Sequence, residues 1–166
     1  KRPDAEGVWL VPGCSSMRCF VRRVSSAAVR VEDEVVGKIG QGLLVYLGVQ
    51  AGDRAEDVDW LIKKLIGLRL FSDSDGKMNE SLPDEGGILV ISQFTLLGSL
   101  KKGYRPSFNR AAEPAEAKRL YQEFLSKLRT ERNGMVAQGA FGKHMRIEAM
   151  DDGPVSIWLD SRQKAY

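Results

Sequence analysis

The chain has 166 residues, of which 43% are hydrophobic and 28% are charged, and its formal net charge is +3. This composition is typical of one folded domain and excludes global disorder. It also excludes a membrane-spanning helix, because no run approaches about 18 uninterrupted apolar residues. The mild positive charge is well below that of a protein that holds nucleic acid by charge alone.

The chain contains two cysteines, Cys14 and Cys19, and a single histidine, His144. Two cysteines so close together form neither a disulfide framework nor a zinc-binding pattern, which favours a reducing compartment. Any catalytic Ser-His or Cys-His pair would have to use His144. We interpret His144 as an ordinary surface or strand histidine.

Residues 1–16 differ from the rest of the chain, with two prolines, two glycines and no sustained hydrophobic period. They lack the apolar core of a secretory signal and the amphipathic pattern of a transit peptide. We predict an irregular N-terminal extension over residues 1–16, either native or added. A single domain is predicted over residues 17–166, with no internal repeat or linker.

The first half of this domain is rich in strand patterns. Strands are predicted over residues 19–24, 27–31, 35–39 and 43–49, and the last is apolar on both faces, as a central strand is. A capping box of Asp53 and Glu56 predicts a helix whose apolar residues recur at helical spacing over residues 58–65. A strand over residues 68–71 then ends in a turn over residues 72–76.

The second half adds one helix and more strands. The most strand-like segment covers residues 88–97, and a basic loop follows over residues 98–110. A helix begins near Pro114 and ends before Asn133. Two more strands are predicted, one before and one after the turn at residues 151–154. We therefore predict an α/β (α+β) domain in which mixed β-sheets form a barrel-like layered sandwich with two main helices.

Two short segments carry the unusual chemistry. In the first, Ser92, Gln93 and Thr95 place hydroxyl and amide groups where a buried strand ends, and Gln93 and Thr95 would share one face of that strand. Such residues bind polar substrates, but they also cap strands and satisfy loop backbones. In the second, Gly153-Pro154 either exposes backbone atoms or forms an ordinary hairpin turn. Phosphate-binding glycine motifs and a Gly-x-Ser-x-Gly motif are absent.

Together these segments resemble the paired signatures of the D-aminoacyl-tRNA deacylase family. Ser92-Gln93-Phe94-Thr95-Leu96 is followed about sixty residues later by Asp152-Gly153-Pro154-Val155-Ser156, with Ser156 where threonine is usual. The resemblance extends from Met17 to about Asp160. Further matching segments are residues 17–24, which end in Arg23-Val24, and residues 42–48, 71–79 and 105–108.

The resemblance implies an enzyme that hydrolyses the ester between a D-amino acid, or glycine, and the 3′ end of tRNA, and spares L-aminoacyl-tRNA. It implies a cytoplasmic homodimer without cofactor or metal. A cis Gly153-Pro154 peptide of one subunit would enter the partner's pocket, beside catalytic residues Ser92, Gln93, Phe94 and Thr95. The other residues implied at the substrate site are Arg23, which would hold that loop, and Phe141 and Met145.

A pocket wall of rigid main chain would reject an L side chain by overlap and leave a D side chain free. Thr95 is a weak candidate nucleophile, because the motif contains no histidine or lysine to activate it. We expect Ser92, Gln93 and Thr95 to orient substrate and water. The backbone N–H groups of Phe94 and Thr95 would stabilise the oxyanion.

Two alternatives to this enzyme stay open at this point. The chain could be a non-catalytic RNA-binding module of the same fold, or a small-molecule hydrolase with Ser92 or Thr95 as nucleophile. Lys101, Lys102 and Arg105 are the candidate RNA contacts, although they could equally form a solvated surface.

Overall fold

A curved six-stranded sheet with two helices on one face forms the body of the protein. The structure is a computed structural model, and it describes residues 16–163. The strands are β1 (Arg18–Val31), β2 (Glu34–Ile39), β3 (Gly42–Gly48), β4 (Phe71–Ser72), β5 (Met78–Glu80), β6 (Gly87–Ser92), β7 (Val136–Gln138) and β8 (Arg146–Asp160). The helices are α1 (Ala55–Gly67) and α2 (Pro114–Glu131).

The sheet is mixed and nearly closed. Its order is β2-β1-β3-β6-β7, and β8 pairs with β1. β1 is antiparallel to β2, β3 and β8, whereas β3, β6 and β7 run parallel. The ends approach each other so closely that a Cβ on Gly37 would lie 2.4 Å from the carbonyl oxygen of Gln138. The predicted α+β fold with a barrel-like sheet and two helices is confirmed.

The central strands are buried on both faces, as the apolar run in β3 predicts. Alternate residues of β3 face opposite sides, since successive side chains in a strand point in opposite directions. Leu43 and Val45 join the core beneath the helices, whereas Leu44 joins Leu89 and Ile91 of β6 inside the barrel. These two layers fix the position and orientation of the carboxyl ends of β3 and β6.

Several predicted boundaries differ from the structure. The two strands predicted over residues 19–31 form one strand, β1, which continues through Ser25 with irregular pairing to β8 on either side of it. The strand predicted over residues 68–71 is the short β4, which pairs with β5 across the predicted turn. The three-residue strand β7 was missed because it is too short to show a period.

The predicted capping box at α1 is wrong by one residue. The helix begins at Ala55, so the acidic residue in the third helical position is Asp57 and not Glu56. The Asp57 carboxylate accepts a hydrogen bond from the Arg54 backbone N–H at 2.9 Å, while Asp53 accepts one from the Gln50 N–H at 2.6 Å. Both acids therefore fix the path of the chain into α1.

The N-terminal extension predicted over residues 1–16 lies outside the described residues, apart from Ser16. The Ser16 hydroxyl donates a 2.6 Å hydrogen bond to Asp160 at the end of β8. The limits of the predicted domain stay a prediction. Within residues 16–163 no helix is long and apolar enough to cross a membrane.

Burial gives Asp53 an unusual titration. Loss of hydration raises the pKa of this carboxyl to about 7, and the nearby Asp57 carboxylate adds to the rise, although the hydrogen bond from Gln50 opposes it. The unfolded value is about 3.9. The folded state therefore binds this proton more tightly than the unfolded state does. Stability from this group is full below about pH 4 and falls as the pH rises towards 7.

We predict that Asp53→Asn reduces this loss, because asparagine still accepts the Gln50 hydrogen bond but does not ionise. Wild-type protein should lose up to about 1 kcal/mol of unfolding free energy per pH unit between pH 5 and 7 through this group. Urea denaturation at several pH values measures the difference between the two proteins. Parallel pH profiles would contradict the assignment.

Candidate active site

A cavity of about 700 Å³ opens at the carboxyl ends of β3 and β6. This volume is typical of sites for small organic groups. Leu47 and Ile91 contribute its apolar base, and Phe108 lies on the loop that leads to α2. Tyr121 of α2 contributes another wall, and its buried hydroxyl donates a 2.9 Å hydrogen bond to the Val90 carbonyl. Burial raises the pKa of Tyr121 to about 12, so this phenol stays neutral.

The signature segment lies at the mouth of this cavity. The strand predicted over residues 88–97 is wrong beyond Ser92, because the chain turns there into a 3₁₀ helix, Phe94–Leu97. Ser92, Gln93 and Phe94 line the cavity, whereas Thr95 is exposed beside it. The Gln93 amide donates a hydrogen bond to the Thr95 hydroxyl. The turn, and not a shared strand face, therefore brings these two side chains together.

The same turn leaves two backbone donors unpaired. Within the described part of the chain, the N–H groups of Phe94 and Thr95 form no backbone hydrogen bond, and no side chain caps them. A helix start leaves such groups free because their partners would lie before the helix. The Leu96 N–H does bond to the Gln93 carbonyl, at 3.3 Å. Two adjacent N–H donors are thus available to an anionic oxygen at the cavity.

Other parts of the chain hold this turn in place. The Gln93 N–H bonds to the Leu47 carbonyl at 2.8 Å, and Arg18 of β1 donates to the Leu96 carbonyl at 2.9 Å. A Cβ on Gly48 would lie 2.9 Å from the Gln93 carbonyl oxygen and 3.2 Å from the Leu96 Cβ. Only glycine lets the turn pack this closely on β3.

Phe141, His144 and Met145 all line the cavity. Met145 packs closely over Gly139, where a Cβ would lie 2.7 Å from the Met145 sulfur. His144 is exposed at the rim. Gly139 leaves the space that Met145 occupies at the cavity.

Gly153 and Pro154 lie in a bulge of β8. Arg22 pairs with Ser156 and Val24 pairs with Asp151, so four residues of β8 stand opposite Arg23 alone. The Gly153-Pro154 peptide is cis, and both residues are exposed. The pattern of two predicted strands around a turn thus corresponds to one long strand with a wide bulge.

Arg23 contacts the bulge from within the sheet. Its Nε donates a 3.0 Å hydrogen bond to the Asp152 carbonyl, and its guanidinium also bonds to the Leu70 carbonyl. Gly153 has φ of +132°, and a Cβ there would lie 3.2 Å from the Arg23 guanidinium. This position therefore requires glycine for both conformation and space.

The bulge and the cavity of one chain lie apart. Cys19 of β1 pairs with Leu47 beside the cavity, and Arg23 lies four residues further along β1. At about 3.3 Å per residue, this separation is roughly 13 Å. Neither Gly153 nor Pro154 lines the cavity of its own chain.

Comparison with known proteins agrees with these features. A family model described as D-Tyr-tRNA(Tyr) deacylase matches residues 20–160. The chain belongs to this family. The D-aminoacyl-tRNA deacylase of Natranaerobius thermophilus is 50% identical over 149 residues, which cover 89% of this chain and 99% of the relative. That of Bacteroides thetaiotaomicron is 45% identical over the same shares.

Two solved structures have the same fold. One, named c-Myc DNA Unwinding Element Binding Protein, has a TM-score of 0.81 and 35% identity, and covers 86% of this chain and 97% of its own. The other, described as a probable eukaryotic D-amino acid tRNA deacylase, has a TM-score of 0.75 at 17% identity. It covers 87% of this chain and 99% of its own. The predicted family, and with it the deacylase class of enzyme, is confirmed.

Sequence analysis of this deacylase missed three groups that line the cavity: Phe108, Tyr121 and His144. Phe108 belongs to a segment that matches the family, but no role was predicted for it. Tyr121 looked like one more core residue of an amphipathic helix. Only the tertiary fold brings these residues to one place.

We predict that Gly48→Ala destabilises the protein by about 1–3 kcal/mol, because the added methyl group meets backbone atoms of the turn. Gly40→Ala is the matched control, since a Cβ there meets nothing within 4 Å. The measurement is the free energy of unfolding in urea. Equal stabilities of the two variants would show that the turn does not pack on Gly48 as described.

Proposed function

We propose that the protein hydrolyses the ester bond between a D-amino acid and the 3′ end of tRNA. The observation that carries this proposal is the pair of unpaired N–H groups at the cavity mouth, in a chain half-identical to D-aminoacyl-tRNA deacylases. Ester hydrolysis passes through a tetrahedral intermediate with a negative oxygen, and adjacent N–H donors stabilise such an oxygen.

Water is the attacking group in the mechanism that we infer. An aminoacyl ester is already activated, and the neighbouring ribose 2′-OH assists attack. The protein then has to position the ester and to stabilise the oxyanion through the N–H groups of Phe94 and Thr95. Ser92 and Gln93 line the cavity and are placed to orient substrate and water.

Thr95 positions the substrate and does not act as a nucleophile. Its hydroxyl accepts a hydrogen bond from the Gln93 amide, and no described histidine, lysine or carboxylate bonds to it. A threonine nucleophile needs a base that removes its proton. An amide donor cannot do so.

In this proposal, the bulge of the partner subunit determines the selectivity for D- over L-amino acids. Gly153 and Pro154 are exposed and lie roughly 13 Å along the sheet from their own cavity, so they could line only the cavity of a second copy. Main chain at that position would overlap an L side chain and admit a D side chain. Glycyl-tRNA would also be a substrate, because glycine has no side chain to reject.

A group of partly exposed aromatic residues on the sheet supports a homodimer. Phe20 stacks on Tyr46 at a centroid distance of 6.3 Å, and Trp158 pairs with Phe20 across β1 and β8. Trp158 is 38% exposed although it lies on the sheet. Aromatic residues of this kind are enriched at protein interfaces. The cytoplasm, where aminoacyl-tRNA is used, stays the predicted location.

The second candidate is a non-catalytic nucleic-acid-binding module. One solved relative is named as a DNA-unwinding-element binding protein, so binding without hydrolysis is a meaningful alternative. The cavity beside unpaired donors favours hydrolysis, because binding a nucleic-acid backbone requires no such cavity. Release of D-tyrosine from charged tRNA, with L-tyrosyl-tRNA as control, distinguishes the two.

We predict that Thr95→Ala retains at least about a tenth of wild-type kcat/KM on D-tyrosyl-tRNA. Loss of a true nucleophile lowers the rate by several orders of magnitude. Acid-quenched reactions examined by mass spectrometry should also contain no protein with an added tyrosyl group. An adduct on wild-type protein, lost in the variant together with activity, would establish covalent catalysis instead.

We predict that Gly153→Ala lowers the ratio of D- to L-tyrosyl-tRNA hydrolysis by about tenfold or more, because the strained bulge no longer blocks an L side chain. Gly76→Ala is the matched control. Gly76 also has positive φ, +75°, but it lies in the exposed turn between β4 and β5. Sedimentation at several protein concentrations tests the dimer. An unchanged ratio, or a monomer at active concentrations, would contradict the proposed source of handedness.

A further inference from the structure

The loop between the signature segment and α2 contains a well-defined turn. Ser99 and Ser107 exchange two backbone hydrogen bonds, of 2.8 and 2.9 Å, which close the segment between them. Gly103, with φ of +87°, reverses the chain at its tip. We call residues 99–107 the basic turn. Residues 100–107 are all exposed.

The basic turn carries positive charge without a partner. Lys101, Lys102 and Arg105 are exposed, and residues 98–110 contain no acidic residue. None of these three side chains forms an ion pair with the residues that the structure describes. Elsewhere on the surface arginines such as Arg22 and Arg119 do pair with carboxylates. The unpaired charges are therefore free to attract an anionic partner.

An aromatic residue stands between these charges in the sequence. Tyr104 is fully exposed, with 103% relative accessibility, and no described ring stacks on it. Leu100 on the same turn is 64% exposed. Aromatic rings among basic side chains are the feature with which proteins bind single-stranded nucleic acid, because bases stack on the rings and phosphates contact the charges.

The basic turn is joined directly to the cavity. Phe108 follows it, lines the cavity, and meets Phe94 edge to face at a centroid distance of 5.0 Å. Tyr104 and Phe108 are four residues apart, which limits the distance between their Cα atoms to about 14 Å. Stacked nucleotides rise about 3.4 Å each along a strand. Tyr104 therefore lies within about four nucleotides of the cavity.

We propose that the basic turn docks the unpaired 3′ nucleotides of the tRNA, with Tyr104 stacked on a base upstream of the aminoacylated nucleotide. Lys101, Lys102 and Arg105 contact the phosphates beside that base. This inference rests on the proposed function, because it identifies where the tRNA end lies when its ester enters the cavity. Tyr104 is a positioning residue and takes no part in the chemistry.

The test compares a full and a minimal substrate, D-tyrosyl-tRNA and 2′(3′)-O-D-tyrosyl-adenosine. Tyr104→Ala should lower kcat/KM on the tRNA by about 5- to 100-fold, mainly through KM, as loss of one stacked base does. Its effect on the adenosine ester should be less than about twofold, because that ester has no upstream base. Tyr104→Phe, which keeps the ring, should restore the tRNA value. Equal losses on both substrates, or no loss on tRNA, would overturn the proposal.

A binding measurement tests the turn independently of hydrolysis. Wild-type protein should bind uncharged tRNA more tightly than the same tRNA without its unpaired 3′ nucleotides, and Tyr104→Ala should bind both equally. Lys102→Ala should reduce the slope of log Kd against log salt by about one, whereas Lys77→Ala, between β4 and β5 and outside the basic turn, should not. If the wild type binds in this way but releases no D-tyrosine, the proposed function fails and the docking site stands. An unchanged preference in Tyr104→Ala overturns the docking site.

Discussion

The parallel pairing of β3 with β6 is the constraint on which the rest of the structure depends. At its start the two strands approach so closely that a Cβ on Gly42 would lie 1.8 Å from the Gly87 carbonyl oxygen. Their register then brings Leu47 opposite Ser92, so both strands end at one edge of the sheet. The cavity and the 3₁₀ turn exist at this edge because both strands end there together.

The sequence predicted the elements whose patterns are local. Both helices and the central strands show clear periods, and their cores lie where those periods indicate. The strand predicted through Leu97 fails because pairing, and not side-chain alternation, decides where a strand ends. The pairing of β6 with β3 ends at Ser92 and Leu47, and the Gln93 N–H then makes one further hydrogen bond, to the Leu47 carbonyl. The point at which pairing with a neighbouring strand stops cannot be predicted from the local sequence of one strand.

The site could be predicted only in part, because some of its residues lie in a recognisable local motif and others do not. The resemblance identified the turn, and of the residues that it implied, Ser92, Gln93, Phe94, Phe141 and Met145 line one cavity. The residues that line the cavity from α2 and its preceding loop could not be predicted. In the sequence, an apolar residue beside the cavity has the same pattern as one buried in the core. The helix cap was misplaced because acidic residues recur over positions 53–59, and only the backbone selects among them.

One strand, β1, contacts both the 3₁₀ turn at the cavity and the bulge at Gly153 and Pro154. Arg18 near its start bonds to the carbonyl of Leu96 in the 3₁₀ turn, and Arg23 bonds to the carbonyl of Asp152 in the bulge. The interval between them is five residues of regular backbone, roughly 16 Å. Inserting one residue would lengthen it by about 3.3 Å and turn every later side chain to the opposite face. The length of β1 therefore sets the distance between the 3₁₀ turn and the bulge. No single side-chain replacement can alter this distance, and only insertions or deletions within β1 would change it.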